Sequence, residues 1–207
     1  MEDVIEVYHR PLDLDRPVLC IDEVPVQLVG EVRQPVPGEP GKARRYDYEY
    51  RRNGTANLFI AFAPLLGWRA VRVTERRTRA DFASFLRWVV EDCFPWAGRA
   101  VLVTDNLNIH TPGSLYEAFL PPVARRLTEV LEWHYTPKHG SWLNVAECEL
   151  SALSRQCLAR RIESAGELRR QVEAWVDDRN EREVGVKWRF TATDARIRLR
   201  SLYPTLR

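Results

Sequence analysis

Residues 17–23 read Pro-Val-Leu-Cys-Ile-Asp-Glu, and residues 99–105 read Arg-Ala-Val-Leu-Val-Thr-Asp. Each is a short apolar run that ends on an aspartate. Apolar runs without polar alternation predict strands buried on both faces. Behind the first run, residues 23–55 carry Pro25, Pro35, Pro37, Pro40 and the alternation Tyr46-Asp47-Tyr48-Glu49-Tyr50, which predicts an insertion or an extended hairpin. Asn53-Gly54 marks a turn. Asn57–Ala63 predicts a second strand, and Trp68–Thr74 a third returning after the turn at residues 64–67.

The second run follows a helix. Thr78 and Asp81 form a capping box, and Phe82, Phe85, Leu86, Val89, Val90 and Cys93 recur at helical spacing until Pro95. After the fourth strand, Arg99–Thr104, a proline-containing helical stretch leads to a fifth short strand, Glu132–Tyr135. The last third is helical. Trp142, Ala146, Leu150, Leu153 and Cys157 form one stripe. Ser164 with Glu167 makes a second capping box ahead of Leu168, Val172, Trp175 and Val176, and Thr191 with Asp194 a third. The pattern supports an α/β protein with a mixed five-stranded sheet flanked by helices and a helical C-terminal end. Its order matches that of the ribonuclease H-like fold. Residues 1–17 are expected to be a lead-in, residues 18–163 the main domain, and residues 164–207 terminal helices packed on that same domain.

With 207 residues and 45% hydrophobic content, one large domain with a sizeable core is expected. Thirty-one basic against 29 acidic residues are too balanced for a histone-like or basic-tail protein. The balance shifts along the chain: residues 150–207 hold thirteen basic and eight acidic groups, which permits nucleic-acid contact at that end. The four cysteines form no CxxC pair, and no H-x-x-x-H pairing exists. Reduced thiols are therefore expected rather than a disulfide framework or a zinc site. The charged N-terminus is no signal peptide, and no apolar run approaches the roughly 20 residues that span a bilayer. A cytoplasmic protein is the expectation.

Asp22 and Asp105 are the informative residues. A carboxylate beside a buried strand is costly unless solvated, paired or bound to metal. Two on neighbouring strands would point at one place, and a third from a helix, Glu147 or Glu149, could complete an oxygen-only site suited to Mg²⁺ or Mn²⁺. The plainer reading is that aspartates end strands as turn or cap formers. At about 100° per residue, Glu147 lies about 100° to one side of Ala146 and Glu149 about 60° to the other, so helical phase leaves both open.

The segments Cys20-Ile-Asp-Glu23, Val103-Thr-Asp-Asn-Leu-Asn-Ile-His110 and Tyr135-Thr-Pro-Lys-His-Gly-Ser-Trp-Leu-Asn-Val-Ala-Glu147 resemble those of DDE transposases, in particular the bacterial insertion-sequence branch of the mariner-like superfamily. The resemblance runs from about Tyr8 to Leu158. It implies a ribonuclease H-like fold, and catalytic metal ligands at Asp22, at Asp105 in a D-N-x-x-x-H motif, and at Glu147, which completes an N-x-x-E motif with Asn144. The interval from Asp105 to Glu147 holds 41 residues, longer than in the eukaryotic relatives. The implied activity is phosphodiester hydrolysis and strand transfer by cut and paste. It depends on two Mg²⁺ ions, for which Mn²⁺ substitutes, and acts on double-stranded DNA at element ends and TA targets. A homodimer in the active complex and association with the bacterial nucleoid are implied too. Relatives carry helix-turn-helix modules before the catalytic domain. Seventeen residues cannot hold one, so a fragment, or a split gene with a separately encoded recognition chain, is expected. The alternatives are a stand-alone nuclease of the same fold, or an inactive or repurposed remnant that binds DNA without cutting it.

Around this core, Asn106, Asn108, His110 and Asn144 read as support for the acids, or equally as an Asx-rich loop capping the next helix. Lys138 and His139, with the arginine clusters Arg44, Arg45, Arg51, Arg52, Arg160 and Arg161, read as contacts to the DNA backbone or as ordinary solvated charges. Glu149, in this reading, pairs with a nearby arginine such as Arg155.

Overall fold

The structure, a computed structural model, describes residues 1–33, 37–43, 47–138 and 140–203, with only the backbone of Leu202. Five strands form one sheet in the order β3-β2-β1-β4-β5: β1 (Val18–Glu31), β2 (Tyr50–Ala63), β3 (Trp68–Thr74), β4 (Ala100–Thr104) and β5 (Leu131–Tyr135). The first three are antiparallel neighbours, and β4 and β5 run parallel to β1.

Alternation along β1 divides the core. Val18 and Cys20 face one layer, with α1 (Glu2–Tyr8), α5 (Ala146–Gln156), α6 (Ala165–Glu181) and α7 (Ala192–Arg198). Leu19 and Ile21 face the other, with α2 (Arg79–Trp88), α3 (Pro112–Ala118) and α4 (Pro121–Val130). Both faces of β1 and β4 are covered, as uninterrupted apolar runs require.

Several local expectations hold. Thr78 and Thr191 form reciprocal capping boxes with Asp81 and Asp194. Ser164 caps α6 by accepting from the Glu167 N–H, but Glu167 reaches back to the Glu163 N–H instead of the cap residue, so this box is incomplete. The α2 helix ends in a π-helical turn, Val89–Cys93, before Pro95.

Three expectations change. Of the two readings of residues 23–55, the extended hairpin is the one formed: β1 runs past Asp22 and pairs with β2 out to Glu31↔Tyr50, with an irregularity between Gln27 and Val29, so Asn53-Gly54 lies within β2 and not at a turn between strands. Pro25 lies within this continuation. It is tolerated because β1 pairs with β4 only as far as Cys20↔Val103, which leaves one edge of the strand open beyond that point. The lead-in contains a helix, α1, whose Val4, Ile5, Val7 and Tyr8 are buried in the core; seven residues are too few to show a helical period. Arg10 and Arg16 then tie the following loop to Glu132 on β5, at 2.8 and 2.6 Å. Finally, Trp142 is not on the α5 stripe. It lies in a 3₁₀ turn, Ser141–Leu143, 41% exposed and edge-on to Phe190, while Leu143 takes the buried place. The extended backbone of Asn144 breaks the period between turn and helix. No helix among the described residues is long and apolar enough to cross a membrane.

Candidate active site

The parallel ladder of β1 and β4 ends at Cys20↔Val103. Two residues further along, Asp22, still paired with Ile60 of β2, and Asp105, just past the end of β4, take equivalent positions at the C-terminal edge of the parallel ladder, where open α/β sheets bind ligands. Asp22 accepts a hydrogen bond on Oδ1 from the Glu23 N–H at 2.8 Å. Burial pushes its carboxyl up to about 7, with the charges of Glu23 and Asp105 adding to the shift. Asp105 accepts on Oδ1 from the Leu107 N–H at 3.0 Å and lies 2.6 Å from His110 Nδ1. The bond from His110 holds Asp105 below the usual carboxylate range. Each aspartate thus has Oδ1 tied back, and no described residue bonds Oδ2.

His110 is wholly buried, its ring 4.6 Å from that of Phe82 on the α2 side of the sheet. Nδ1 also lies 2.9 Å from Thr104 Oγ1, and Nε2 lies 2.8 Å from Glu23 Oε2. That second contact is an ion pair rather than an aligned hydrogen bond, and neither atom has another partner among the described residues. Arg77 Nη1 approaches Glu23 Oε1 at 3.2 Å. Burial opposes the imidazolium, yet the bonds to Asp105 and Glu23 outweigh it and raise His110 to about 9.

From the opposite face comes α5. Asn144 donates from Nδ2 to the Ile21 carbonyl at 2.9 Å and accepts from the Ala146 N–H at 3.2 Å. Tyr8 Oη donates to the Leu143 carbonyl at 2.8 Å and accepts from the Val145 N–H at 3.2 Å. The start of α5 is therefore pinned to the residue preceding Asp22. Glu147, half-buried, stands on the first turn. Asp22, Asp105 and Glu147 do not together form a group able to hold a metal; among the described residues no three His, Cys, Asp or Glu side chains do.

Glu149 has a different role from its neighbour two residues back. It is 2% exposed and pairs with Arg179 at 2.8 Å and with the fully buried Arg69 at 3.3 Å. Arg69, on β3, donates from its backbone N–H and from Nη1 to Asn180 Oδ1 on α6, and its carbonyl accepts from Asn180 Nδ2. The expected pairing with Arg155 is incorrect: Arg155 is exposed, and burial of Glu149 directs it to the cations inside the fold.

The model of the DDE superfamily endonucleases matches residues 17–169. The chain belongs to this superfamily. Its fold is that of solved Mos1 complexes. The Mos1 mariner paired-end complex with Mn has a TM-score of 0.54 and 18% identity over 87% of this chain and 55% of that one. The Mos1 strand transfer complex has a TM-score of 0.54 and 17% identity over 87% and 54%. The Mos1 transposase paired-end complex with left transposon end has a TM-score of 0.55 and 18% identity over 88% and 56%. The chain spans about half the length of these structures, and the likeness establishes the ribonuclease H-like fold. No curated protein is significantly similar in sequence.

Around the two aspartates of this DDE-family chain, the other sequence candidates scatter. Asn106 is exposed and its amide donates to the Thr136 carbonyl; Asn108 is exposed on the same loop. Asp105 does form an Asx turn with Leu107, so the loop reading and the support reading of this motif are both realised. Lys138 and Arg52 are exposed. Arg51 pairs with Glu163 at 2.8 Å, and Arg160 with Gln171. Arg161 bonds Glu31 and the carbonyls of Asp47 and Glu49, bracing the hairpin tip. Arg44, Arg45 and His139 lie outside the described residues. Sequence reasoning missed Glu23 and Tyr8, and read Arg77 only as one of the clustered arginines, not as the partner of Glu23. Glu23 stood inside a quoted motif, but nothing in a one-dimensional pattern shows that it meets His110.

Proposed function

We propose that residues 18–163 are the catalytic domain of a DNA transposase, with residues 1–17 and the helices of residues 164–207 packed on it. The observation that carries this reading is the pair Asp22 and Asp105 just beyond the last paired residues of the parallel β1–β4 ladder, each with Oδ1 hydrogen-bonded and Oδ2 without a partner among the described residues. Two oxygen-only donors, one of them raised to about 7 by burial and like charge, suit a hard divalent cation. Mg²⁺, with Mn²⁺ as substitute, would be held by Asp22, Asp105 and Glu147. A two-ion site supplies charge that activates the attacking oxygen and stabilises the leaving oxygen of a phosphodiester. Asn144 and Tyr8 set the loop from which Glu147 approaches. His110 and Leu107 hold Asp105, and Asn106 ties the loop behind it to Thr136. Water attack freeing a 3′-hydroxyl, followed by attack of that hydroxyl on target DNA at TA, is the reaction sequence. Double-stranded DNA is the substrate, a homodimer the working unit, and a separately encoded helix-turn-helix chain the reader of element ends, in a bacterial cytoplasm.

The test is nicking of supercoiled DNA in Mn²⁺ by the wild type and by Asp105→Ala. Nicking by the wild type alone supports the reading. Tight DNA binding without nicking by either would favour a repurposed remnant.

DNA binding itself is expected to be weak and governed by salt. Arg52, Lys138 and Arg160 are surface cations, which contact the backbone and not base edges, so counterion release dominates. With about three phosphate contacts, affinity should fall roughly fortyfold between 50 and 200 mM salt. Fluorescence anisotropy with element-end and scrambled duplexes checks this; sequence discrimination persisting at high salt would contradict it.

A further inference from the structure

Glu23 follows Asp22 on β1, so its side chain leaves the opposite face of the sheet. That face is the α2 layer, away from α5 and Glu147. A carboxylate there, 3% exposed in its side chain, needs a reason. Its two oxygens meet two basic side chains: Oε1 the Arg77 guanidinium at 3.2 Å, Oε2 the buried His110 ring at 2.8 Å. The far nitrogen of that ring meets Asp105 Oδ1 at 2.6 Å. Arg77, Glu23, His110 and Asp105 therefore form a continuous chain from the surface through the back of the sheet to one acid of the candidate site.

We propose that Glu23 is a positioning residue, which through His110 fixes the Asp105 carboxylate with Oδ1 held back and Oδ2 presented to a divalent cation. The proposal rests on the reading of Asp22 and Asp105 as metal ligands. Glu23 Oε2 lies 2.8 Å from His110 Nε2, and the Phe82 ring packs against the imidazole at 4.6 Å between centroids, so the ring is held in place from behind. Nδ1–H then points at Asp105, which cannot rotate to offer both oxygens or turn toward solvent. Carboxylate and imidazole partners behind a metal ligand set its orientation, and removing them costs about 10–100-fold in metal affinity.

The experiment measures Mn²⁺ binding to the full chain by electron paramagnetic resonance of the free ion, with thermal melting of each variant alongside. Glu23→Gln is expected to weaken Mn²⁺ binding about 10–100-fold, with nicking recovering at high Mn²⁺, whereas Asp105→Asn does not recover. In the His110→Asn background the asparagine amide can still reach Asp105 but not Glu23, so Glu23→Gln should have no further effect on Mn²⁺ affinity. Glu23→Asp keeps the charge one methylene short. It should bind with intermediate affinity, and it provides the same test if the glutamine variant does not fold. Wild-type Mn²⁺ affinity in Glu23→Asp and Glu23→Gln, or an undiminished effect of Glu23→Gln in the His110→Asn background, would overturn the positioning role. Equal Mn²⁺ binding by the wild type and Asp105→Asn is a different failure: it removes the metal site itself, and the proposal with it.

Discussion

Asp22→Asn should abolish metal-dependent cleavage, at least a thousandfold, while making the metal-free protein more stable. The two effects share one cause. Asp22 is pushed up to about 7 in the fold from an ordinary value of 3.8, so the folded state prefers it neutral. A raised carboxylate costs nothing below its unfolded value. The cost grows as pH rises from about 4 and is complete above about 7, where it reaches at most about 4 kcal/mol. Asparagine keeps the acceptor for the Glu23 N–H and removes that cost. In a domain of this size each kcal/mol shifts the melting temperature by about 2–4 °C, so a rise of several degrees at pH 8 is expected, vanishing at pH 4. His110 gives a second, separate slope. Its folded value of about 9 lies above the ordinary imidazole value of 6.5, so its contribution is full below 6.5 and is lost as pH rises through 9. The variant should keep this alkaline slope and lose only the one between 4 and 7. Melting curves over pH 4–9 without metal check both. An Asp22→Asn variant no more stable than wild type at pH 8 would show that Asp22 is not a strained carboxylate.

Glu149→Gln should be among the most destabilising single changes in the chain, about 3–5 kcal/mol. It removes the one carboxylate between Arg69, fully buried, and Arg179, 13% exposed in its side chain, and leaves an uncompensated guanidinium in the core. The melting temperature should fall by roughly 10 °C. Converting Arg69 to Met together with Glu149 to Leu should recover much of the loss, because a buried pair exchanged for apolar groups is often neutral while half a pair is not. Cleavage by Glu149→Gln should persist at temperatures where it stays folded, since Glu149 faces the arginines and not the aspartates. Chemical denaturation of the single and double variants decides the matter; a loss below 1 kcal/mol for Glu149→Gln would mean that water reaches these charges.

The contrast between Glu147 and Glu149 shows where sequence reading stops. Helical phase put both at the edge of the apolar stripe, and the partners that separate them, Arg69 on β3 and Arg179 on α6, lie 80 residues before and 30 after Glu149 in the chain. Long-range pairing leaves no local period. Where the signal is local, the reading succeeds: the runs ending at Asp22 and Asp105 locate two central strands, and the Thr78 and Thr191 caps start helices at the residues expected. The hairpin beyond Asp22 was one of two readings of residues 23–55; Pro25 left it open, because its missing N–H argues against a strand only when both edges are paired. The helix at Glu2–Tyr8 was too short for a period to show, yet its Tyr8 hydroxyl holds the loop that feeds α5.

Diffraction from crystals soaked in Mn²⁺, read by the anomalous signal of the metal, tests the central claim most directly. The account predicts manganese coordinated by Asp22 and Asp105 through their Oδ2 atoms, with Glu147 drawn in from the first turn of α5 as the third acid and Glu149 still bound to Arg69 and Arg179. Manganese bound elsewhere, or bound between the aspartates while Glu147 stays turned away and another residue supplies the third ligand, would contradict it.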